Sequence, residues 1–395
     1  MSNFHKHFSI PHWDAHPNDD GFYKTFAASS KEYKKEIRDI YFGVEYEYSH
    51  LREVKRYGET MGVSATDGQV ENLLRIQREF GVECSMTINS LNIPVEIAAD
   101  PMVREGFLSF IQGYYDKGVR SCTMSNTHLM RSGVLQQRFP EMRWKNTVNQ
   151  QVQTTQGLYD FAALGYNTIC FDRALNRDIE TLKEIYREAK KLNIEVSLLA
   201  SEGCMPTCPF KVEHDSWQES LQKSPSNYWQ TFNNTCSGWR ARAEAQLPRL
   251  GTDISMATEE LVDEWMKYTD VLKFSGRMSP KNGRDDGRMC WVSNGRKISG
   301  NKGEEISVQE FEFADSFKEI YDKKLAPYII DRWAMGYTFT EEKNQTLPED
   351  LDLIWATKKG KSLSKILSTC QNRCWDCHAC EKVFGVEPFN STLDL

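Results

Sequence analysis

The chain has 395 residues, with 49 basic and 56 acidic side chains for a net charge of −7, and is 39% hydrophobic and 27% charged. That balance excludes a disordered chain, a collagen-like chain and a multispanning membrane protein, and the length suits one large domain with an appendage. The eleven cysteines are unevenly spread: Cys204 and Cys208 lie close together, and Cys370, Cys374, Cys377 and Cys380 crowd into one short run.

The opening MSNFHKHFSIPHWDAHPNDD has neither a basic n-region nor an apolar h-region, so no secretory signal is expected. No stretch approaches the run of about eighteen apolar residues that a membrane span requires. A cytoplasmic location is therefore expected, and there clustered thiols point to a metal or redox site rather than to disulfides. The acidic balance gives no direct support for an RNA partner, although a basic cleft on an acidic protein would suffice.

In chain order, the predicted elements alternate. FSIPHWD (8–14) reads as a first strand, weakened by Pro11. DIYFGVE (39–45) follows as a strand. GQVENLLRIQREF (68–80) then reads as a helix, with Val70, Leu73, Leu74, Gln77 and Phe80 recurring at spacings of three and four. The strands VECSMTIN (82–89), VRSCTMSN (119–126) and RWKNTVNQ (143–150) come next, and the helix TQGLYDFAALG (155–165) is closed by Gly165. NTICFDRAL (167–175) is a strand, and DIETLKEIYREAKKL (178–192) is a helix opened by Asp178 as N-cap. IEVSLLASEG (194–203) and DVLKFSGR (270–277) complete the strands.

Such alternation means parallel strands joined by helical crossovers. This many units suit an α/β fold of the closed (β/α)8, TIM-like type better than an open sheet, and no GxGxxG or P-loop follows any strand. The expected organisation is an N-terminal segment with the first strand (1–36), a barrel (37–280), and a C-terminal region (281–395). The barrel carries a Cys-containing insertion (204–250) after its seventh strand, and the cysteine cluster (370–380) belongs to the C-terminal region.

In a barrel of this kind the site lies at the carboxyl ends of the strands. Those ends are Glu45, Asn89, Asn126, Asn149 with Gln150, Arg173, Glu202 and Arg277. Glu45 and each amide among them are substrate-binding candidates and, equally, ordinary helix caps or loop starters. Arg173 and Arg277 close apolar strands, where a guanidinium needs an anionic substrate or a carboxylate beside it. If Arg173 faces the lumen, alternation turns Cys170 towards the helices, so Cys170 is expected simply to pack, like Cys84 and Cys122.

Cys204 and Cys208 form CxxxC in a loop stiffened by Pro206 and Pro209, which can bring two thiolates to one metal. With Cys236 and Cys290 they make a four-thiolate set for a 4Fe-4S cluster or a structural zinc. Cys370, Cys374, Cys377 and Cys380 form CxxxCxxCxxC, a second metal signal, zinc or iron–sulfur. Trp375 among its ligands and the upstream thiolate set favour a second 4Fe-4S cluster there. Its first three cysteines share the radical S-adenosylmethionine spacing, but Asp376 stands where those enzymes carry an aromatic residue.

Two strand ends carry a family resemblance. LKFSGR, from Leu272 to Arg277, resembles the LKIEGR strand end of the collagenase-like peptidases, family U-thirty-two. NTICFDRALNRDIETLKEI followed by IEVSLLASEGCMPTC resembles that family's Arg-Glu-Leu segment, helix and cysteine-bearing loop, and DIYFG resembles its early strand. The likeness runs over residues 37–295. It implies a barrel in which Cys204, Cys208, Cys236 and Cys290 hold a 4Fe-4S cluster. It also implies an oxygen-independent hydroxylase of RNA bases or of a quinone precursor, some members drawing the oxygen from prephenate. Arg173, Lys273, Gly276 and Arg277 match the family's motifs, and Lys273 joins the substrate-binding candidates. Ala174 and Ser275 replace two family glutamates, and Ser201-Glu202-Gly203-Cys204 replaces a His-Gly-Ala-Leu-Cys loop, with Glu202 as a substitute carboxylate.

The function expected from these features is an iron–sulfur redox enzyme acting on a small anionic or nucleobase-like substrate. Arg173, Glu202 and Arg277 are its catalytic candidates, and the C-terminal cluster would pass electrons from an electron-donor protein. Two alternatives stand beside it. A peptidase would have to manage without a GxSxG elbow or an HExxH helix, with His214 posed as a base near Cys208. A non-catalytic, metal-containing RNA-binding protein would use the lysines of KKGKSLSK (358–365) on phosphate.

Overall fold

The computed structural model describes residues 8–12, 20–28, 31–60, 64–199 and 267–273, with short stretches among 211–216, 284–298 and 366–382. Runs of β-branched, aromatic and small residues form the strands. They are β1 (Phe8–Pro11), β2 (Ile37–Gly43), the pair β3 (Glu45–His50) and β4 (Glu53–Gly58), β5 (Glu83–Ile88), β6 (Ser121–Met124), β7 (Arg143–Lys145), β8 (Thr168–Cys170), β9 (Glu195–Leu199) and β10 (Val271–Lys273). All but β3 and β4 pair in parallel into a closed barrel, ordered β1, β2, β5, β6, β7, β8, β9, β10, with β10 returning to β1 through Phe8 opposite Leu272 and Ser9 opposite Lys273. The expected (β/α)8 barrel is present, and β9 is its seventh strand.

The connecting helices follow from local signals. They are α1 (Gly21–Ala28), α2 (Lys31–Glu36), α3 (Asp67–Phe80), α4 (Glu96–Ala99), α5 (Pro101–Asp116), α6 (Thr127–Ser132), α7 (Val134–Arg138), α8 (Thr155–Ala163) and α9 (Ile179–Lys191). Thr66 and Gln69 close a capping box on α3, and Gly81 ends it at φ 67°. Asp178 caps α9 by accepting from the Thr181 amide, as its position implied. Gly165, at φ 93°, follows α8 in the left-handed region where a Cβ would be strained. The apolar faces of these helices meet the outer faces of the strands. Ile40, Phe42, Met86, Ile88, Val196 and Leu198 bury against a layer that includes Leu73, Ile76, Phe107, Ile111, Leu182 and Ile185.

The inner faces are different. Barrel strands ordinarily read as near-continuous apolar runs because branched aliphatic residues fill the interior. Here polar residues alternate with apolar ones: Glu83, Ser85 and Thr87 on β5, Ser121 and Thr123 on β6, Arg143 and Lys145 on β7, Glu195 and Ser197 on β9. This lumen is built from charge and hydroxyl.

Three expectations need correction. RWKNTVNQ is not a strand throughout: β7 ends at Lys145, and Asn149 and Gln150 lie on a 3-10 turn, Val148–Gln150, capped by Thr147. Cys170 lies on the lumen side, while Ile169 and Phe171 belong to the outer core. The alternation had been carried back from Arg173, but β8 ends at Cys170 and Asp172 caps a 3-10 turn, Arg173–Asn176, so strand periodicity does not extend to Arg173. Cys84 and Cys122 do pack in the core. Glu45, expected to end the second barrel strand, instead begins the antiparallel hairpin β3–β4. That hairpin lies on α5, where Tyr46 stacks on Tyr48 at 5.3 Å and meets Phe107 and Phe110 edge-on or tilted.

Farther along the chain, β11 (Arg284–Asp285) pairs with β12 (Arg288–Met289), and β13 (Trp291–Ser293) pairs with β14 (Arg296–Ile298). A short helix, α10 (Cys374–Cys377), lies within the C-terminal cysteine run. Among the described residues no helix is long and apolar enough to cross a membrane.

Candidate functional site

The lumen is organised from its floor upwards. Glu83, Arg143 and Glu195 are the first residues of their strands, so their side chains gather at the amino end of the barrel. Arg143 reaches Glu195 at 2.5 Å, Glu83 at 3.1 Å and Asp39 at 3.1 Å; Arg38 reaches Glu83 at 2.5 Å and Glu195 at 3.0 Å. Thr168 donates to Glu195 at 2.7 Å. Asp39 and Lys145 are still more enclosed, their side chains 2% and 8% exposed, and stand 3.0 Å apart. Ser9 donates to the other Asp39 oxygen.

Burial alone would push the Asp39 carboxyl up. Lys145 and Arg143, the Ser9 hydroxyl and Arg38 overcome that penalty and hold it well below the usual carboxylate range. Glu195 follows the same logic: burial raises it, Arg143 and Arg38 lower it further, and it too lies below its ordinary value. Asp39 and Glu195 are therefore carboxylates at neutral pH, held among Arg38, Arg143 and Lys145.

Above the floor, a cavity is lined by Thr123, Lys145, Cys170, Ser197 and Lys273, among others. The Lys273 ammonium lies 4.3 Å from the centre of the Tyr41 ring. Burial pushes the Cys170 thiol up against the opposing pull of Lys273, the Ser197 hydrogen bond, Arg173 and Lys145, so it rests as a thiol. Asn146 ties β7 to β8 by accepting from the Cys170 amide at 2.6 Å and donating to its carbonyl at 3.2 Å.

The strand-end candidates take varied places. Arg173 is 2% exposed, with Asp172 4.0 Å from its guanidinium. Asn89 accepts from the Thr60 amide at 2.8 Å, fastening the hairpin's end to β5. Asn126 caps α6 by accepting from the Leu129 amide, and its Nδ2 has no partner among the described residues. Gln150 donates to the Ser125 carbonyl at 2.9 Å and accepts from the Thr147 amide. Asn149 accepts from Lys211 at 3.2 Å, and Lys211 is itself buried against Asp215. Glu45 lies 3.5 Å from Arg56 within the hairpin. The structure thus brings Lys273 and Cys170 to one cavity, while the Asn89 carbonyl and the Gln150 amide bind backbone.

Glu202, Arg277, Cys204, Cys208, Cys236, Cys290, Cys380, His214 and the 358–365 lysine run lie outside the described residues. Cys370 is partly exposed and Cys377 exposed, and Cys374 begins α10. Among the described residues no group of three or more metal-capable side chains comes together.

Sequence reasoning aimed at the strand ends and missed the interior: Ser9, Asp39, Thr87, Thr123, Arg143, Lys145, Glu195 and Ser197. The signal that finds them is the period of two itself. Glu-x-Ser-x-Thr, Arg-x-Lys and Glu-x-Ser in strands buried on both sides can only mean a polar lumen.

These elements define a (β/α)8 barrel protein with a charged, hydroxyl-lined interior. No protein-family model matches the sequence, and no curated protein matches it significantly. Among solved structures, the U32 peptidase Mk0906 aligns with 70% of this chain and 95% of its own, at 13% identity and a TM-score of 0.43. The carboxyl transferase domain of Rhizobium etli pyruvate carboxylase, solved with pyruvate and biocytin, aligns with 97% of this chain and 61% of its own, at 8% identity and a TM-score of 0.31.

Proposed function

We propose that this chain is an iron–sulfur enzyme, an oxygen-independent hydroxylase of the U-thirty-two type. It acts at the barrel mouth on a small anionic or nucleobase-like substrate. The observation that carries this reading is the polar lumen below the carboxyl end of β9, whose last residue, Leu199, precedes Cys204 by five positions in the sequence. An interior that only had to be filled would be apolar.

The donor chemistry fits. Cys84, Cys122 and Cys170 are buried strand residues on separate strands, β5, β6 and β8. The eight cysteines that follow β9 remain for metal: Cys204, Cys208, Cys236 and Cys290 for one 4Fe-4S cluster, and Cys370, Cys374, Cys377 and Cys380 for a second cluster or zinc. A thiolate-held cluster supplies one-electron transfer or Lewis acidity, which acid–base side chains lack. The chain's own residues do the positioning. Arg173 and Arg277 hold an anionic group, Lys273 adds charge beside the Cys170 cavity, and the ionised floor fixes the lumen walls. Glu202 supplies a carboxylate for proton transfer.

Anaerobic purification with iron, acid-labile sulfide and zinc analysis tests this reading. Roughly four irons per cluster are expected. Cys204→Ala should remove one cluster's share and Cys377→Ala the other's. Zinc without sulfide would sink the redox assignment.

A further inference from the structure

The lumen holds polar groups that the ion cluster does not use. Thr87, Thr123 and Lys145 are register neighbours on β5, β6 and β7, Thr87 opposite Thr123 and Thr123 opposite Lys145. Two residues before Thr87 and Thr123, Ser85 and Ser121 face each other with hydroxyls 3.0 Å apart, so strand alternation turns both threonines inward as well. Thr87 and Thr123 are each 1% exposed, yet their hydroxyl oxygens have no hydrogen-bond partner among the described residues. Buried polar atoms are almost always satisfied, so this pair marks a place where something else belongs.

Lys145 completes the row. An ammonium has three N–H donors, and Asp39, at 3.0 Å, is the acceptor that stands on Lys145 among the described residues. Its other donors are free to turn towards Thr123, which lines the same cavity. On the far side, Gly43 stands opposite Thr87 and carries no side chain. Two hydroxyls and an ammonium, side by side, offer hydrogen to one occupant. Asp39 cannot compete for it, because Ser9, Arg143 and Lys145 already hold both its oxygens.

We infer that the Thr87–Thr123–Lys145 row is an oxyanion subsite that receives a carboxylate or phosphate group inside the barrel. This deepens the reading of the mouth as a substrate site, on which it rests, and makes Thr87 and Thr123 specificity residues. A charged oxygen suits the row because each hydroxyl and a remaining ammonium N–H can donate to it.

The test uses the full chain, purified anaerobically, titrated calorimetrically with acetate, inorganic phosphate and acetamide. Saturable binding of acetate or phosphate is expected, with neutral acetamide at least about tenfold weaker, and the preferred anion identifies the group. Thr123→Val, which keeps the shape and deletes the hydroxyl, should weaken that anion by about tenfold or more, and Thr123→Ser should restore it. Thr87→Val should repeat the loss. No anion binding by the natural chain, equal binding of acetamide, or full binding by both valine variants would overturn the subsite. Iron content measured on the same samples separates the two readings. Iron present without anion binding removes the subsite alone, and anion binding without iron removes the cluster alone.

Discussion

Asp39 is the residue on which the interior turns. Its carboxylate takes hydrogen bonds from Ser9, Lys145 and Arg143 in a site 2% exposed to solvent. Three donors from two other strands, β1 and β7, make it a joint rather than a surface ion pair, because removing its charge leaves Lys145 buried without a counter-charge. Breaking such a pair costs far more than the pair contributes relative to apolar filling. Asp39→Asn is therefore expected to lower unfolding stability by about 3–5 kcal/mol, read from urea denaturation. A double change of Asp39→Asn with Lys145→Met should recover part of that loss. If the single variant unfolded within about 1 kcal/mol of the natural chain, the joint would be no more than an exposed pair. At this scale the interior is written in the sequence, but in the bodies of the strands and not at the strand ends where the site was expected. Glu83, Ser85 and Thr87 alternate in plain view, as do Arg143 and Lys145. What one chain position cannot reveal is that Asp39 meets a lysine more than a hundred residues away, because that contact exists only once the barrel closes.

Among the elements, the barrel strands and the α3, α8 and α9 helices were readable from periodicity and caps. The hairpin β3–β4 was not, for a physical reason. Its turn residues Leu51 and Arg52 sit at φ 49° and 67°, where glycine or asparagine would normally announce the turn. The hairpin accepts that strain in exchange for the aromatic contacts of Tyr46 and Tyr57 with α5. Its return strand ends at Gly58, where an added Cβ would meet the Val44 oxygen at 2.1 Å and the Glu45 Cα at 2.7 Å. Gly58→Ala must push the hairpin away from the end of β2, at a cost of about 1–3 kcal/mol. Hydrogen exchange should show faster amides in β3 and β4 with α3 and β5 still protected. Equal loss of protection throughout would mean that the hairpin is a structural part of the barrel and not an addition to it.

For the whole molecule, the floor cluster is a clasp. Through Ser9, Asp39, Glu83, Arg143, Thr168 and Glu195 it links β1, β2, β5, β7, β8 and β9, strands that a hydrogen-bonded ladder joins only neighbour to neighbour. A clasp made of ions responds to pH, and the sign follows from the carboxylates. Asp39 and Glu195 both titrate below their ordinary values in the fold, because Lys145, Arg143 and Arg38 outweigh burial. A carboxyl depressed by folding contributes stability that is fully present above its unfolded pKa, near 4, and is lost as the pH falls through the folded value. The melting temperature should therefore hold nearly level from about pH 8 to pH 5 and drop steeply below about pH 4. Glu195→Gln should melt lower at neutral pH yet show a shallower acid limb, because one of the groups that drives the drop is gone. The measurement is a set of thermal melts across that range for both proteins. An acid limb of identical slope in the variant would place the pH sensitivity elsewhere and leave the floor as packing alone.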